Sequence, residues 1–441
     1  MATPKVAETQ FRIEFETDGD MNESLTTHFS TMRIINSTRA IWPIFQLYFH
    51  VDNQTFIEKN IYGKSTITCK IYATHEDGTK SEPIEYKLLY IECNLDLPPK
   101  EEKNRTIDDQ QEVQRRHAMV SCVSLPAYQS MTTFVNKLYE EEEDHLRPID
   151  YVKDLLDQNG IKYIIKEDGC NKDLINQMII PPMTMRNAVD YINQNYGIYS
   201  GPMFRYCNYS GEFLMWDLKK MYEQHKDSPW VKMHKSPSHF DTPGKFKEIN
   251  EIAASTENEF VTHKLAESIN HGNANMLRYG YDNIYIYHPS SDIAVFQKKN
   301  ADDIITDYGI WHNKNEMKYH PELKTRKLYF SDMRGFENED YTGKYNTDML
   351  TQNMASAYQN AAAVRITLLR NVKVPLASKV GEVLYLKPYS DFEKFQGSNY
   401  EGGYLISDSE IVFTREESGS QEQNVTCIAT LTAHRTSQSK D

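Results

Sequence analysis

The sequence predicts a multidomain α+β chain, with a β-rich part over residues 1–125, an α/β middle over 126–325 and a second β-rich part over 326–441. Three observations lead to this division. At 441 residues the chain exceeds the roughly 250–300 residues at which a single hydrophobic core stops growing, so several domains are required. Polar and apolar residues alternate through the first and last parts, which is the period of a half-buried strand. Apolar stripes at helical spacing, bounded by start and stop residues, are concentrated between them.

The first part contains strand patterns in close succession. Gln10 to Glu16 and Gln46 to Val51 alternate strictly. Ser65 to Ala73 is followed by the turn-like His75-Glu76-Asp77-Gly78 and then by Ile84 to Ile91, a hairpin with Asp-Gly punctuation. A last strand falls near Ala118 to Val123. Strands this close, with no helices between them, suggest an antiparallel barrel or sandwich. Pro98 to His117 holds ten charged residues in twenty, five of each sign. With no apolar face to bury, it reads as a solvated loop or as an arm reaching a neighbouring subunit.

The texture changes at Leu125-Pro126. Met131, Phe134, Val135 and Leu138 fall at helical spacing and predict a helix there, ahead of the acidic run Glu140 to Asp144. A second helix starts at Pro148, buries Ile149, Val152 and Leu156, and stops at Asn159-Gly160. Ile161 to Ile165 reads as a strand. Thr184 is placed as the N-cap of a third helix carrying Met185, Ala188, Val189, Ile192 and Tyr196, with Gly197 where a left-handed residue is needed. Phe204-Arg205-Tyr206 and Phe213 to Trp216 flank Asn208-Tyr209-Ser210-Gly211, a β-hairpin by its turn residues.

Residues 217–325 mix polar stretches with an expected helix from Phe246 and a strand at Ile284 to Tyr287. Strands return at Lys327 to Phe330, Ala363 to Leu368, Gly381 to Leu386, Gly403 to Ile406 leading into Ile411 to Phe413, and Val425 to Leu431. An amphipathic helix at about Thr347 to Asn360 interrupts them. No short-period internal repeat is present.

Composition excludes several function classes. Hydrophobic content of 39% and charge of 25% fit a water-soluble globular chain. No stretch of about 18 apolar residues spans a bilayer, and residues 1–10 lack the apolar run of a signal peptide, so cytosolic synthesis is expected. A net charge of −14 argues against sequence-independent nucleic-acid binding, which depends on Lys and Arg neutralising phosphates. It is compatible with a channel that passes a polyanion without holding it. The 29 tyrosines suit wide interfaces where one end of the ring is dry and the other wet.

Catalytic signals fail individually, and no catalytic, cofactor-binding or metal-ligating residue is assigned. Gly63-Lys64-Ser65 resembles the end of a phosphate loop, but that loop needs a Gly five residues before its Gly-Lys, and Glu58 stands there. Cys69, Cys93, Cys122, Cys170, Cys207 and Cys427 are scattered without a CxxC pair and read as buried free thiols. His234, His239, His263, His271 and His288 form a local enrichment without HExxH or an i, i+4 pair, so solvent or interface roles are expected. Glu140 to Glu143 reads as a solvated helix end. Trp42, in Ile41-Trp42-Pro43-Ile44, is a candidate partner-facing aromatic or a core residue.

Two segments resemble the baseplate hub proteins of contractile-tailed bacteriophages, whose relatives form the base of type VI secretion spikes. The first is Asn159 to Ile165, then Ile179-Ile180-Pro181-Pro182-Met183-Thr184-Met185, Ala188 to Ile192, and the hairpin ending Glu212-Phe213-Leu214-Met215-Trp216-Asp217. The second comprises Val380 to Leu386 and Glu401 to Ser407, with a last strand closing on Ala433-His434-Arg435. The resemblance implies two antiparallel tube-type β-barrel domains flanking the α/β middle, and a non-enzymatic structural role. It further implies a homotrimer whose six barrels form a pseudo-hexameric ring between the hexameric tail tube and the trimeric central spike, in a virion tail baseplate assembled in the host cytoplasm. The implied partners are the spike, tube or tube-initiator proteins and other baseplate proteins; DNA passes through the lumen without specific binding, and no membrane insertion is implied. Alternative readings are the spike base of a type VI or extracellular contractile injection system, a distal tail-tip protein of a non-contractile phage, and a β-rich hydrolase.

Overall fold

The computed structural model describes residues 10–51, 54–62, 64, 66–74, 82–95, 116–139, 146–175, 178–199, 201–225, 380–387, 402–415 and 425–434, and strand segments at 231–235, 259–269, 283–289, 294–300, 327–330 and 362–368. The first stretch forms β1 (Gln10–Thr17), β2 (Asp20–Met21), α1 (Glu23–His28), β3 (Phe29–Ser37), β4 (Ile44–Val51), α2 (Gln54–Asn60), β5 (Thr66–Thr74), β6 (Ile84–Leu95) and β7 (Arg116–Ser124). The middle continues with α3 (Leu125–Thr132), β8 (Phe134–Tyr139), α4 (Pro148–Gln158), β9 (Tyr163–Ile165), β10 (Met178–Thr184), α5 (Met185–Tyr196), β11 (Met203–Cys207), β12 (Phe213–Asp217) and α6 (Leu218–His225). Then come β13 (Val231–Lys235), β14 (Glu259–Ile269), β15 (Asn283–Pro289), β16 (Ala294–Asn300), β17 (Lys327–Phe330), β18 (Ala362–Leu368), β19 (Val383–Lys387), β20 (Gly402–Arg415) and β21 (Val425–His434).

The described residues are thus mostly antiparallel β-sheet with a few helices, and thirteen of the described strands join in one sheet that contains the first and the last of them, β1 and β21. Hydrogen-bonded neighbours trace two closed paths through it. One runs β1, β5, β6, β7, β4, β3, β20, β21 and returns to β1 where Phe11 faces Val425. The other runs β20, β21, β18, β14, β13, β19 and returns to β20; its β13 lies parallel to both neighbours.

The hairpin β20–β21 belongs to both paths. Gly402 to Leu405 pair with β19, whereas Asp408 to Thr414 pair with β3, and a register shift between Ile406 and Asp408 separates the two stretches. A bulge bends a strand and increases its twist, which lets one strand serve two closed paths. The strand expected at Gly403 to Ile406 is therefore continuous with the one expected at Ile411 to Phe413.

Alternation drives the packing. In β4, Phe45, Leu47, Phe49 and Val51 are fully buried while the residues between them are half-exposed. Phe15, Phe29 and Phe49 pack edge to face or tilted within the resulting core. Buried side chains from β1, β3–β7, β19, β20 and β21 form one continuous cluster. The eight-strand path therefore encloses packed side chains, as circuits of about that size do.

Several local expectations hold. α4 starts with Arg147 at the N-cap and Pro148 in its first turn, buries Ile149, Val152 and Leu156, and ends before Gly160, whose φ is +65°. α5 spans Met185 to Tyr196 with Gly197 at φ +69°. Thr184 occupies the N-cap position, but its hydroxyl makes no cap bond; the Met185 N–H instead donates to Thr133 O at 2.8 Å.

The helix expected across Met131, Phe134, Val135 and Leu138 is not formed. α3 ends at Thr132, and Phe134–Tyr139 is strand β8, with Val135 and Tyr139 buried and Phe134 and Leu138 exposed. The run Thr132-Thr133-Phe134-Val135 is β-branched and aromatic, which costs a helix side-chain freedom and suits a strand. Strand β3 was not expected, because a register shift between Phe29 and Thr31 and an inward Asn36 break its alternation. The helices expected from Phe246 and at Thr347 to Asn360 lie outside the described residues.

Candidate assembly surface and central hairpin

The hairpin β11–β12 is the point where three parts of the chain meet. Its two faces bury differently: Phe204, Tyr206 and Trp216 join the large β-sheet core, and Cys207, Phe213 and Met215 join a second core with α3, α4 and α5. That division follows from the side-chain period of two along each strand. On the sheet side, the Tyr206 hydroxyl donates to Asn36 Oδ1 at 2.7 Å and Cys207 N–H donates to Ile41 O at 2.6 Å. Trp216 Nε1 donates to Gly381 O at 3.0 Å, and the Tyr222 hydroxyl of α6 donates to Gly403 O at 3.2 Å. The hairpin and the α6 that follows it thus tie β3 to the turn that leads into β19 and to β20.

Asp217, at the end of β12, anchors the hairpin. It is 1% exposed. Its Oδ1 accepts the N–H groups of Lys219 and Lys220 at 2.8 and 3.1 Å, capping α6. Its Oδ2 accepts the Gly201 N–H at 2.8 Å. Burial pushes the Asp217 carboxyl up, and the N–H groups of Lys220, Gly201 and Lys219 oppose the shift. Gly201 and Gly169 lie so close that a Cβ on either would meet Asp217 oxygens, at 2.3 and 2.7 Å.

The middle helices are held by polar contacts at their flanks. Arg205 makes a two-pronged bond to Asp190, joining β11 to α5. Arg147 grips Asp150 and Glu167, and Lys153 also pairs with Glu167. Asp154 accepts from Tyr139 and Lys137 at 2.6 and 2.9 Å. Burial opposes ionisation of Asp154, but the bonds from Tyr139 and Lys137 outweigh it and its pKa is lowered.

One surface is unusually apolar. β8 and β10 form a two-stranded sheet in which Leu138 faces Ile179 and Phe134 faces Thr184. Phe134, Ile179 and Leu138 are 66%, 57% and 47% exposed, on the side opposite the buried Val135, Tyr139, Met178 and Ile180. Apolar side chains clustered on one exposed face mark contact surfaces in soluble proteins. Sequence reasoning missed this face because it assigned Phe134 and Leu138 to a buried helical stripe.

Trp42 is partly buried against the second core, with its ring 5.9 Å from Tyr128. All six cysteines are free thiols, five of them buried and Cys93 half-buried. Burial pushes Cys122, Cys207 and Cys427 up to about 12 and raises the others as well. Since the thiolate is the reactive form, brief alkylation of the native protein at pH 8 is expected to label Cys93 first and the other five only after unfolding. Peptide mass spectrometry reads this directly, and early labelling of Cys122 or Cys427 would contradict the buried arrangement.

Lys64, between α2 and β5, is paired with Asp18 in the turn between β1 and β2. The side chains of the five clustered histidines and the run Glu140 to Asp144 lie outside the described residues, as do residues 98–115 of the loop expected over Pro98 to His117, whose last two residues, Arg116 and His117, instead open strand β7. Among the described residues there is no group of three or more His, Cys, Asp or Glu side chains placed to hold a metal, and no helix is long and apolar enough to cross a membrane.

No protein-family model and no curated protein matches the chain. Among solved structures it is similar to the tail protein from Neisseria meningitidis MC58, at 9% identity over 96% of both chains with a TM-score of 0.50. It also aligns with the 43 kDa tail protein of prophage MuSo2 from Shewanella oneidensis, at 9% identity over 96% of this chain and 98% of that one, TM-score 0.48. A third alignment is to the Francisella PdpA–VgrG complex, at 10% identity over 99% of this chain and 59% of that one, TM-score 0.41. What the chain shares with the Neisseria protein at this identity is a fold, that of a tail protein. The fold shared with the Neisseria tail protein agrees with the tail-protein architecture that the sequence resemblance implies.

Proposed function

We propose that this chain is a structural subunit of the baseplate hub of a contractile phage-type tail, in which three copies form a pseudo-hexameric ring between the hexameric tube and the trimeric central spike. The observation that carries this reading is the pair of closed strand paths sharing the hairpin β20–β21. Read as two tube-type barrels, they give each chain two ring positions, so three chains supply six. The three-part division at 1–125, 126–325 and 326–441 goes with this reading, with β13 and β14 lent to the second barrel by the stretch before it.

The physics of the two paths supports the reading. Closing a sheet removes sticky edges, and closed rotational symmetry stops growth at a fixed copy number. The eight-strand path is filled by side chains, so the passage for DNA runs between subunits, through the ring they enclose. A net charge of −14 favours an acidic lumen that lets a polyanion slide. The subunit interfaces are obligate and larger than about 2,000 Å² in total.

In this role the protein is non-enzymatic and belongs to the virion tail, after assembly in the host cytoplasm and without membrane insertion. Its partners are the spike on one side, tube or tube-initiator proteins on the other and further baseplate proteins around it. The exposed face of Phe134, Leu138 and Ile179 is in keeping with a chain that functions in an assembly. The mass of the purified protein in solution tests the reading: light scattering is expected to give three chains per particle. A stable monomer with hydrolase activity would defeat it.

A further inference from the structure

The pairing of β4 with β7 places His50 directly opposite His117. Both rings lie on the outward side of the sheet, because their neighbours Phe49, Val51 and Ala118 are fully buried and side chains alternate along a strand. His117 is exposed and His50 half-buried. The ring centroids are 4.7 Å apart and the planes are inclined at 61°.

We propose that His50 and His117 together form a two-ligand site for a divalent first-row transition metal. Imidazole nitrogen suits Zn²⁺, Ni²⁺ and Cu²⁺, and Cu²⁺ binds such sites most tightly. A metal–nitrogen bond of about 2.0–2.1 Å places the metal roughly 3.2 Å from a ring centroid, so two imidazoles at about 90–110° hold their centroids roughly 4.5–5.2 Å apart. The observed separation falls within that window before any metal is bound. Directly opposed residues on paired strands have fixed Cβ positions, so the two rings stay within reach of one metal ion. With two protein ligands, water or a ligand from a neighbouring molecule fills the remaining positions, which makes the site open and exchangeable. Closed structural zinc sites differ in taking four protein ligands.

The test uses the full-length protein with Cu²⁺ or Ni²⁺ as the only added ligand, at pH 7.5. Calorimetry is expected to show one tight equivalent per chain, and the Cu²⁺ paramagnetic resonance spectrum is expected to show coupling to two nitrogens. His117→Ala, at an exposed position, is expected to weaken binding tenfold or more and to remove one nitrogen from the spectrum, with the circular dichroism of the metal-free protein unchanged. His50→Gln provides the second variant with the same expected loss. Wild-type binding equal to that of His117→Ala, or a spectrum without two-nitrogen coupling, would overturn the proposal, leaving the pair as edge-to-face ring packing alone.

Discussion

Replacing Asp217 with alanine is expected to destabilise the protein by about 2–4 kcal/mol, because it strands the buried Gly201 N–H, at about 1–3 kcal/mol, and removes the α6 cap from the half-buried N–H groups of Lys219 and Lys220, at about 1 kcal/mol. The donors are Gly201, Lys219 and Lys220, all bonded to this one carboxylate. Gly201→Ala should damage the same node from the other side, since its Cβ would lie 2.3 Å from Asp217 Oδ1 and the carboxylate is held by its three donors. Residues sharing one contact do not act additively. In the double variant the clash disappears with the carboxylate, so the combined loss should fall well short of the sum of the two. Urea unfolding monitored by circular dichroism measures all four corners of the cycle. Additive losses would show that Gly201 and Asp217 act independently and that the node is misread.

Trp216→Ala is expected to cost about 3–5 kcal/mol, as other large aromatic truncations in cores do. The ring is 4% exposed and sits 4.5 Å from that of Phe204. Trp216→Phe keeps most of the packing but leaves Gly381 O without its donor, and about 1–2 kcal/mol is expected. Gly381 has a φ of +81°, and a Cβ there would come within 2.8 Å of the Phe204 ring, so Gly381→Ala should be as damaging as the tryptophan truncation. Hydrogen exchange then separates two joints of the hairpin. Trp216→Phe should speed exchange in β19 and in the Gly402 to Ile406 end of β20, whereas Tyr206→Phe, which loses its bond to Asn36, should loosen β3. Uniform acceleration in both variants would indicate that the hairpin is not a joint between separable parts.

The elements readable from sequence were those fixed by local chemistry. Pro148, Gly160 and Gly197 mark helix ends by their backbone preferences, and the hairpin of β11 and β12 is announced by Asn208 and Gly211 between two aromatic runs. Strands such as β4 and β6 follow from alternation. β8 was misread because Met131, Phe134, Val135 and Leu138 satisfy helical spacing while lying in two elements, and spacing does not reveal which of them face water. The closed strand paths depend on pairings between residues more than 370 positions apart, such as Ser37 with Asp408, and no local pattern encodes them. The Asp217 node was not read from the sequence: α6 was not expected after the hairpin, and the bond to Gly201 joins residues 16 positions apart that meet only when the chain is folded.

The central claim is that one chain supplies two equivalent ring positions, and averaged electron-microscopy projections of the purified particle test it most directly. The account predicts a ring with threefold symmetry and six similar lobes around an open lumen. A ring with three lobes, a ring of another copy number or a compact single-chain particle would contradict it.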